Sequence, residues 1–275
     1  MPGFEAETPF TTDSYHTPED TPRSIWEYIT LGSRISFYLR NFYVFYDSGK
    51  HCRIGDFDTQ YKADNSLRNV RIVESCGGRV HAEGLDNLSK DTKPAVIISN
   101  HMSLLETACL HAFIRPRRDF CFVIKRSLFD VPYFGDIMRE LDCIAVDRVN
   151  PRDDFKVVME EGRKRLEAGK SVLIFPQHTR SEVFKPAEFN SIGVKLAKHA
   201  SCPIIPLALR TDFIGNGKLK HRIIRCIAVK DDALDHAADL DRSLWLGHRC
   251  HKALLSFHLN HNAELTPLPH CSEGG

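Results

Sequence analysis

The chain has 275 residues, 42% of them hydrophobic, enough to bury one substantial core and to favour a single main domain with appendages. A formal net charge of +1 argues against a dedicated nucleic-acid binder, whose affinity needs a basic surface. Nine cysteines are scattered with no Cys-x-x-Cys pair and no zinc-type spacing, which reads as reduced thiols in a cytoplasmic compartment rather than a disulfide framework.

In chain order, residues 1–22 are acidic and rich in Thr and Pro, lack the basic-then-apolar order of a signal peptide, and read as a disordered tail. Within 23–47, Ile25, Tyr28, Ile29, Ile35, Leu39, Phe42, Tyr43 and Tyr46 fall at helical spacing between Glu27, Arg34 and Arg40. That spacing predicts one amphipathic helix, either packed on the domain or lying in a lipid interface. No run of about 18 apolar residues occurs, so no membrane-crossing helix is expected. Residues 47–68 are polar and carry no functional signal. Val70–Val73 and Gly78–Ala82 alternate as two short strands would.

Ala95–Ser99 reads as a buried strand, broken by Asn100 and His101, after which Ser103-x-x-Glu106 forms a capping signature for a helix that stops near Arg115-Pro116. Phe120–Ile124 and Cys143–Val146 are apolar strands ending at Lys125 and at Asp147-Arg148. A helix capped by Asp153 or Asp154 runs to about Ala168, and the strand Ser171–Phe175 ends in Pro176–Ser181. A helix over Ala187–His199, strands over Pro203–Leu209 and Ile223–Val229, a helix over Leu244–Leu259 and a loose tail at 263–275 complete the chain. The alternation predicts an α/β fold: a mixed, largely parallel sheet flanked by helices, with an N-terminal amphipathic helical segment.

Apolar strands that deliver charged residues at their C-terminal ends mark the ligand crevice of an open α/β sheet. His101 and Glu106 would sit about 140° apart if both were helical, so they meet only if His101 precedes the helix. A carboxylate against one imidazole nitrogen fixes the tautomer that leaves the other nitrogen free as a base. Arg148 and Arg180 follow separate strands, and the planar guanidinium fork suits phosphate. The same residues also read as a simple helix cap and two solvated surface charges. No His-x3-His pair is present.

Taken together, Asn-His-x4-acid at 100–106, Lys125–Gly135 leading to Asp147-Arg148, Phe-Pro-x-x-Thr-Arg-Ser at 175–181 and Pro-Ile-Ile-Pro at 203–206 resemble four ordered motifs. They are those of the 1-acylglycerol-3-phosphate acyltransferase family of glycerophospholipid acyltransferases. The resemblance covers roughly residues 70–210 and includes the upstream Gly78–Leu88. It implies an acyltransferase α/β domain over 48–262, with His101 as general base and Glu106 assisting it. A lipid or glycerol hydroxyl would attack the thioester of acyl-CoA or acyl carrier protein directly, without an acyl-enzyme, a metal or another cofactor. Arg148 and Arg180 would hold the acceptor phosphate, supported by Thr179 and Ser181. Asn100, Ser103, Lys125, Gln177 and His178 complete the expected substrate-binding set, and backbone donors near the helix start or Pro203–Pro206 would meet the oxyanion. The implied partners are a lysophospholipid, the acyl donor and a membrane surface, with no nucleic acid; the implied place is the cytoplasmic face of a membrane, as a peripheral or monotopic protein held by residues 23–47. Three departures bear on the acceptor headgroup: Glu106 where the family has Asp, Gln177-His178 where it has Glu-Gly, and Asp142 where glycine is common. Glu106, Gln177 and His178 also motivate an alternative, a catalytically silent lipid-binding module of the same fold.

Overall fold

The computed structural model describes residues 7–30, 34–181, 188–211, 213 and 227–229. In chain order the elements are β1 (Tyr15–His16), α1 (Ile25–Ile29), α2 (Arg34–Ile54), α3 (Thr59–Ser75), β2 (His81–Glu83), β3 (Val96–Ser99), α4 (Leu105–Ile114) and β4 (Phe120–Lys125). Then come α5 (Phe134–Glu140), β5 (Ile144–Val146), α6 (Pro151–Glu167), β6 (Ser171–Ile174), α7 (Ile192–Ala200), β7 (Ile204–Leu209) and β8 (Ile227–Val229). The sheet order is β1-β2-β8-β7-β3-β6-β4-β5. Its centre, β7-β3-β6-β4-β5, is wholly parallel, whereas β1 pairs antiparallel with β2, and β8 with β7.

The central strands read as unbroken apolar runs because helices cover both faces. Every residue of β3 and β6 is buried. One core, holding Phe113, Phe122 and Ile97, lies under α2 to α5, and a second, holding Val96, Ile174 and Leu196, lies under α6 and α7. This arrangement gathers the C-terminal ends of five parallel strands on one edge, where Asn100, Lys125, Asp147, Phe175 and Arg210 leave the sheet. The start of α6 is set by Asn150, whose side chain accepts from Arg152 N, with Pro151 in the first helical position. Asp154, expected to cap α6, instead accepts from the backbone of Asp147 and Arg148, both at 2.9 Å.

Four expectations are corrected. Residues 7–22 are tied down rather than disordered: Phe10 is fully buried and stacks 4.2 Å from Phe113, and Thr17 N donates to Val80 O at 2.9 Å. The single helix over 23–47 is two helices, the second continuing to Ile54. Val70–Val73 belong to α3 instead of a strand; the inner face of that helix includes Asn65, Ser66 and Asn69, so its apolar periodicity is masked. Helix α7 starts at Ile192, after Asn190 Oδ1 accepts from Ile192 N at 3.0 Å. The expected helix over Leu244–Leu259 and the 263–275 tail lie outside the described residues.

Candidate active site

His101 leaves β3 in an extended turn, and α4 begins four residues later. The imidazole Nδ1 lies 3.2 Å from Glu106 Oε2, off the line of an ideal hydrogen bond. Glu106 has no exposed side-chain surface, while His101 keeps 17% of its own. Three donors hold the carboxylate: Met102 N at 2.9 Å, Ser103 N at 2.8 Å and the Thr211 hydroxyl. Ser103 Oγ in turn accepts from Leu105 N at 3.1 Å and donates to Thr211 Oγ1 at 3.0 Å. Glu106 is therefore a helix cap and a histidine partner at once, because a carboxylate offers more lone pairs than either task consumes. The imidazole is clamped from its other face by Phe175, with ring centroids 4.2 Å apart and planes 14° from parallel.

The segment after β6 closes around the same histidine. Gln177, 4% exposed, accepts the backbone N–H of His101 through Oε1 at 2.5 Å, and Ser181 N donates to His101 O at 3.0 Å. Asn190 Nδ2 fixes the base of this loop on Pro176 O. After β5, which β4 separates from β6, Arg148 adopts a left-handed φ of 59°, secured by the Asp154 carboxylate on its N–H. That turn aims its guanidinium across the sheet edge, where Nη1 donates to His178 O at 2.8 Å. A cavity of about 560 Å³ opens beside this bridge, with Arg148, Gln177, His178 and Lys195 at its mouth and Val123, Val158 and Ile174 on its walls.

The expected site residues thus sort into groups. His101, Glu106 and Gln177 meet; Arg148 and His178 meet one strand further along; Thr179 and Arg180 are exposed on the same loop, and Arg180 has no ion pair among the described residues. Lys125 is exposed at the end of β4, beside Val146 in register. Asn100 and Ser103 are not placed to touch a substrate. Asn100 is 2% exposed and exchanges two 2.7 Å hydrogen bonds with the Leu209 backbone, continuing the β3–β7 pairing, and Ser103 is 1% exposed within the cap. Ser181 contributes its backbone to His101. The N–H groups of His101, Met102, Ser103 and Leu105 are all engaged internally, so the helix start loses most of its expected oxyanion donors.

Two participants escaped the sequence reading. Thr211 reaches Glu106 from beyond the end of β7, and Phe175, read as a strand end and the first residue of the Phe-Pro motif, was given no role beside His101. The position of Thr211 just past a parallel strand was the available signal. Asp142 proves unrelated to the site: it turns α5 into β5 at a left-handed φ of 55° and pairs with Arg165 and Lys170 at 2.9 Å each. A positive φ is also why glycine suits that position. Among the described residues no cluster of three or more His, Cys, Asp or Glu is placed to hold a metal. Burial pushes the Cys52, Cys76 and Cys143 thiols up to about 12, which keeps them inert.

Residues 79–210 match the model of the Acyltransferase family. A 1-acyl-sn-glycerol-3-phosphate acyltransferase of Pseudomonas aeruginosa is 39% identical over 139 residues, which is 50% of this chain and 51% of that protein. A chloroplastic 1-acyl-sn-glycerol-3-phosphate acyltransferase of Arabidopsis thaliana is 30% identical over 144 residues, 51% of this chain and 37% of that one. The chain thus matches about half the length of these curated relatives, or less. The crystal structure of the 1-acyl-sn-glycerophosphate acyltransferase PlsC from Thermotoga maritima superposes with a TM-score of 0.61 at 16% identity, covering 85% of this chain and 99% of that one. That likeness establishes a shared α/β fold.

Proposed function

We propose that the protein, whose residues 79–210 match the Acyltransferase family model, transfers a fatty acyl chain from an acyl thioester to the hydroxyl of a lysophospholipid, of which 1-acylglycerol-3-phosphate is the type. One observation carries the reading. An imidazole has one nitrogen turned to a buried carboxylate and keeps part of its side chain exposed, at the C-terminal edge of a parallel sheet where the loop after β6 also receives a guanidinium on the His178 carbonyl.

In this reading Glu106 holds the proton on Nδ1, and Nε2 takes the acceptor's hydroxyl proton. The freed oxygen attacks the thioester carbonyl, and the tetrahedral intermediate collapses with loss of the thiolate. The thiolate then takes the proton from the imidazolium, so no net proton is stored on the enzyme. Glu106 stabilises the transient cation, as a buried carboxylate does. Arg148 spends one N–H on the His178 carbonyl and keeps the rest for the acceptor phosphate, alongside Arg180 and Lys125. Acyl-CoA and acyl carrier protein both supply the required thioester.

Work at a membrane face fits the surface of α1 and α2, where Ile25, Tyr28, Ile29, Leu39 and Phe42 are each more than 60% exposed. No helix among the described residues is long and apolar enough to cross a membrane, so the proposed attachment is peripheral or monotopic, on the cytoplasmic side. The test is a lysolipid panel incubated with acyl-CoA or acyl carrier protein and read by mass spectrometry. Wild type should acylate at least one lysolipid, and His101→Ala should lose about 10²–10⁴-fold in rate, the usual contribution of a positioned base. Binding of lysolipid with no release of free thiol from acyl-CoA would instead favour the silent lipid-binding module. The neutral Gln177 beside His101 is the feature that keeps this second reading open.

A further inference from the structure

Thr211 lies one residue past the span that matches the family model, 79–210, and belongs to none of the four ordered motifs. It is 6% exposed, and its hydroxyl ends on the Glu106 carboxylate. Asn100 secures the approach to it, through the two 2.7 Å hydrogen bonds with the Leu209 backbone that carry the β3–β7 pairing beyond the end of β3.

The two oxygens of Glu106 are not equivalent. Oε1 accepts from Met102 N at 2.9 Å, Ser103 N at 2.8 Å and the Thr211 hydroxyl, whereas Oε2 takes a 3.0 Å share of the Ser103 N–H and faces His101 Nδ1 at 3.2 Å. A carboxylate oxygen has two lone pairs, so Oε1 is fully spent and Oε2 is left for the imidazole. The backbone amides are what a helix start offers any capping carboxylate. The Thr211 hydroxyl is a donor that the cap does not need, delivered from 105 positions away.

The protons of this contact run in one direction. Leu105 N can only donate, so Ser103 Oγ, which accepts from it at 3.1 Å, turns its own proton to Thr211 Oγ1 at 3.0 Å. Thr211 then has its single proton for Glu106, and each bond polarises the next. The approach of Glu106 to His101 is already off the line of an ideal hydrogen bond, and the terminal torsion of a glutamate is soft. A carboxylate released by Thr211 is free to turn from Nδ1 while the two amides keep the cap.

We propose that Thr211 is a positioning residue for the acyl transfer: its hydroxyl fixes the Glu106 carboxylate with Oε2 toward His101, and so selects the imidazole tautomer with its proton on Nδ1. The kinetic consequence rests on the acyltransferase reading; the tautomer does not. Thr211→Val and Thr211→Ala, assayed for acyl transfer to a lysophospholipid, should each lose at least about tenfold in kcat with KM for donor and acceptor within about twofold, since Thr211 does not touch substrate. Thr211→Ser, which restores the hydroxyl, should recover the rate to within about threefold. Added to Glu106→Gln, Thr211→Val should cost less than about a further twofold, because a residue that acts through Glu106 has nothing left to position. The tautomer is read without turnover from the ring nitrogen-15 shifts of histidine-labelled protein at a pH where the imidazole is neutral. Among the chain's 14 histidines, the signals of His101 are those missing from His101→Ala. Wild type should show a protonated Nδ1 and a bare Nε2, and Thr211→Val a mixture of the two tautomers. Wild-type kcat in Thr211→Val and Thr211→Ala, losses that multiply in the double variant, a Thr211→Ser as slow as Thr211→Val, or an unchanged His101 tautomer would each overturn the proposal. A wild type that transfers no acyl chain would instead defeat the acyltransferase reading, and the tautomer would still decide the role of Thr211.

Discussion

At the scale of the residue, Glu106 does two jobs, and they are separable. Glu106→Gln keeps an oxygen for the amides of Met102 and Ser103 but removes the charge that the proposed imidazolium needs. The expected result is a fall in acyl-transfer rate of about 10²–10⁴-fold with a thermal midpoint changed far less, whereas Glu106→Asp keeps much of the rate. Wild-type turnover in Glu106→Gln would reduce the carboxylate to a cap and leave His101 oriented by Phe175 alone. His111 supplies a pH prediction. It is 4% exposed, its Nδ1 accepts from Arg115 Nε at 3.3 Å, and its Nε2 has no partner. Burial, and then the Arg115 charge, hold its pKa well below the usual 6.5. Below pH 6.5 the unfolded chain therefore binds a proton that the folded chain refuses. The stability contribution of neutral His111 is complete above 6.5 and is lost as pH falls beneath it, toward the lowered folded pKa. Urea unfolding at pH 7.5 and 5.5 should show a smaller loss for His111→Leu than for wild type; equal losses in both would refute the assignment. His101 and Glu106 were legible because their spacing is local, and Gln177 because it stands in the Phe-Pro-x-x-Thr-Arg-Ser motif, although it meets His101 from 76 positions away. Thr211 was not, since it reaches Glu106 from 105 positions away, and Asn100 was misjudged because a polar residue at a strand end looks the same whether it meets a ligand or a backbone.

Among the elements, the contact between α2 and the residue that precedes α5 is tight enough to test. Gly49 lies against Tyr133, which holds a left-handed φ of 63°, and a Cβ at Gly49 would sit 2.6 Å from Tyr133 Cα. Backbone cannot retreat as a flexible side-chain end can. Gly49→Ala should destabilise the fold by about 1–3 kcal/mol, the usual cost of overpacking, with Lys50→Ala, one exposed position along, nearly silent. A wild-type denaturation midpoint for Gly49→Ala would mean that α2 slides freely on α5. The parallel strands were legible as elements because burial on both faces leaves no polar residue to interrupt them. Helix α3 was not. Its inner face makes Ser48–Asn65, Asn41–Asn69 and Ser66–Ala108 hydrogen bonds, at 2.5, 2.6 and 2.8 Å, so it packs by polar pairing that hydropathy cannot register. The split between α1 and α2 was hidden for a different reason: the aromatic and aliphatic residues on both sides of it face outward and keep a common spacing.

On the scale of the whole molecule, the outward apolar surface and the reactive edge are joined through few contacts. Phe37, near the start of α2, meets Phe213 with ring centroids 5.6 Å apart, and Thr211, two residues earlier, binds Glu106. The helices that carry the exposed aromatic surface are thus anchored beside the segment that braces the proposed base. A membrane bound through α1 and α2 would present its lipids near the strand ends, where the acceptor hydroxyl has to arrive. Converting Ile25, Tyr28, Ile29 and Phe42 together to Ser removes about 60–70%-exposed side chains and leaves the buried Phe37 and Val44 in place, so the fold should survive. Liposome flotation should be lost. Acylation of a lysophospholipid embedded in vesicles should fall at least tenfold through KM, while kcat on a monomeric short-chain acceptor stays within about twofold, because interfacial binding raises local substrate without altering the chemistry. If the quadruple variant still floats with vesicles, the exposed surface serves packing with another protein. If it loses activity equally on both acceptors, α1 and α2 act by bracing Thr211 and Glu106, and the surface is structural in effect.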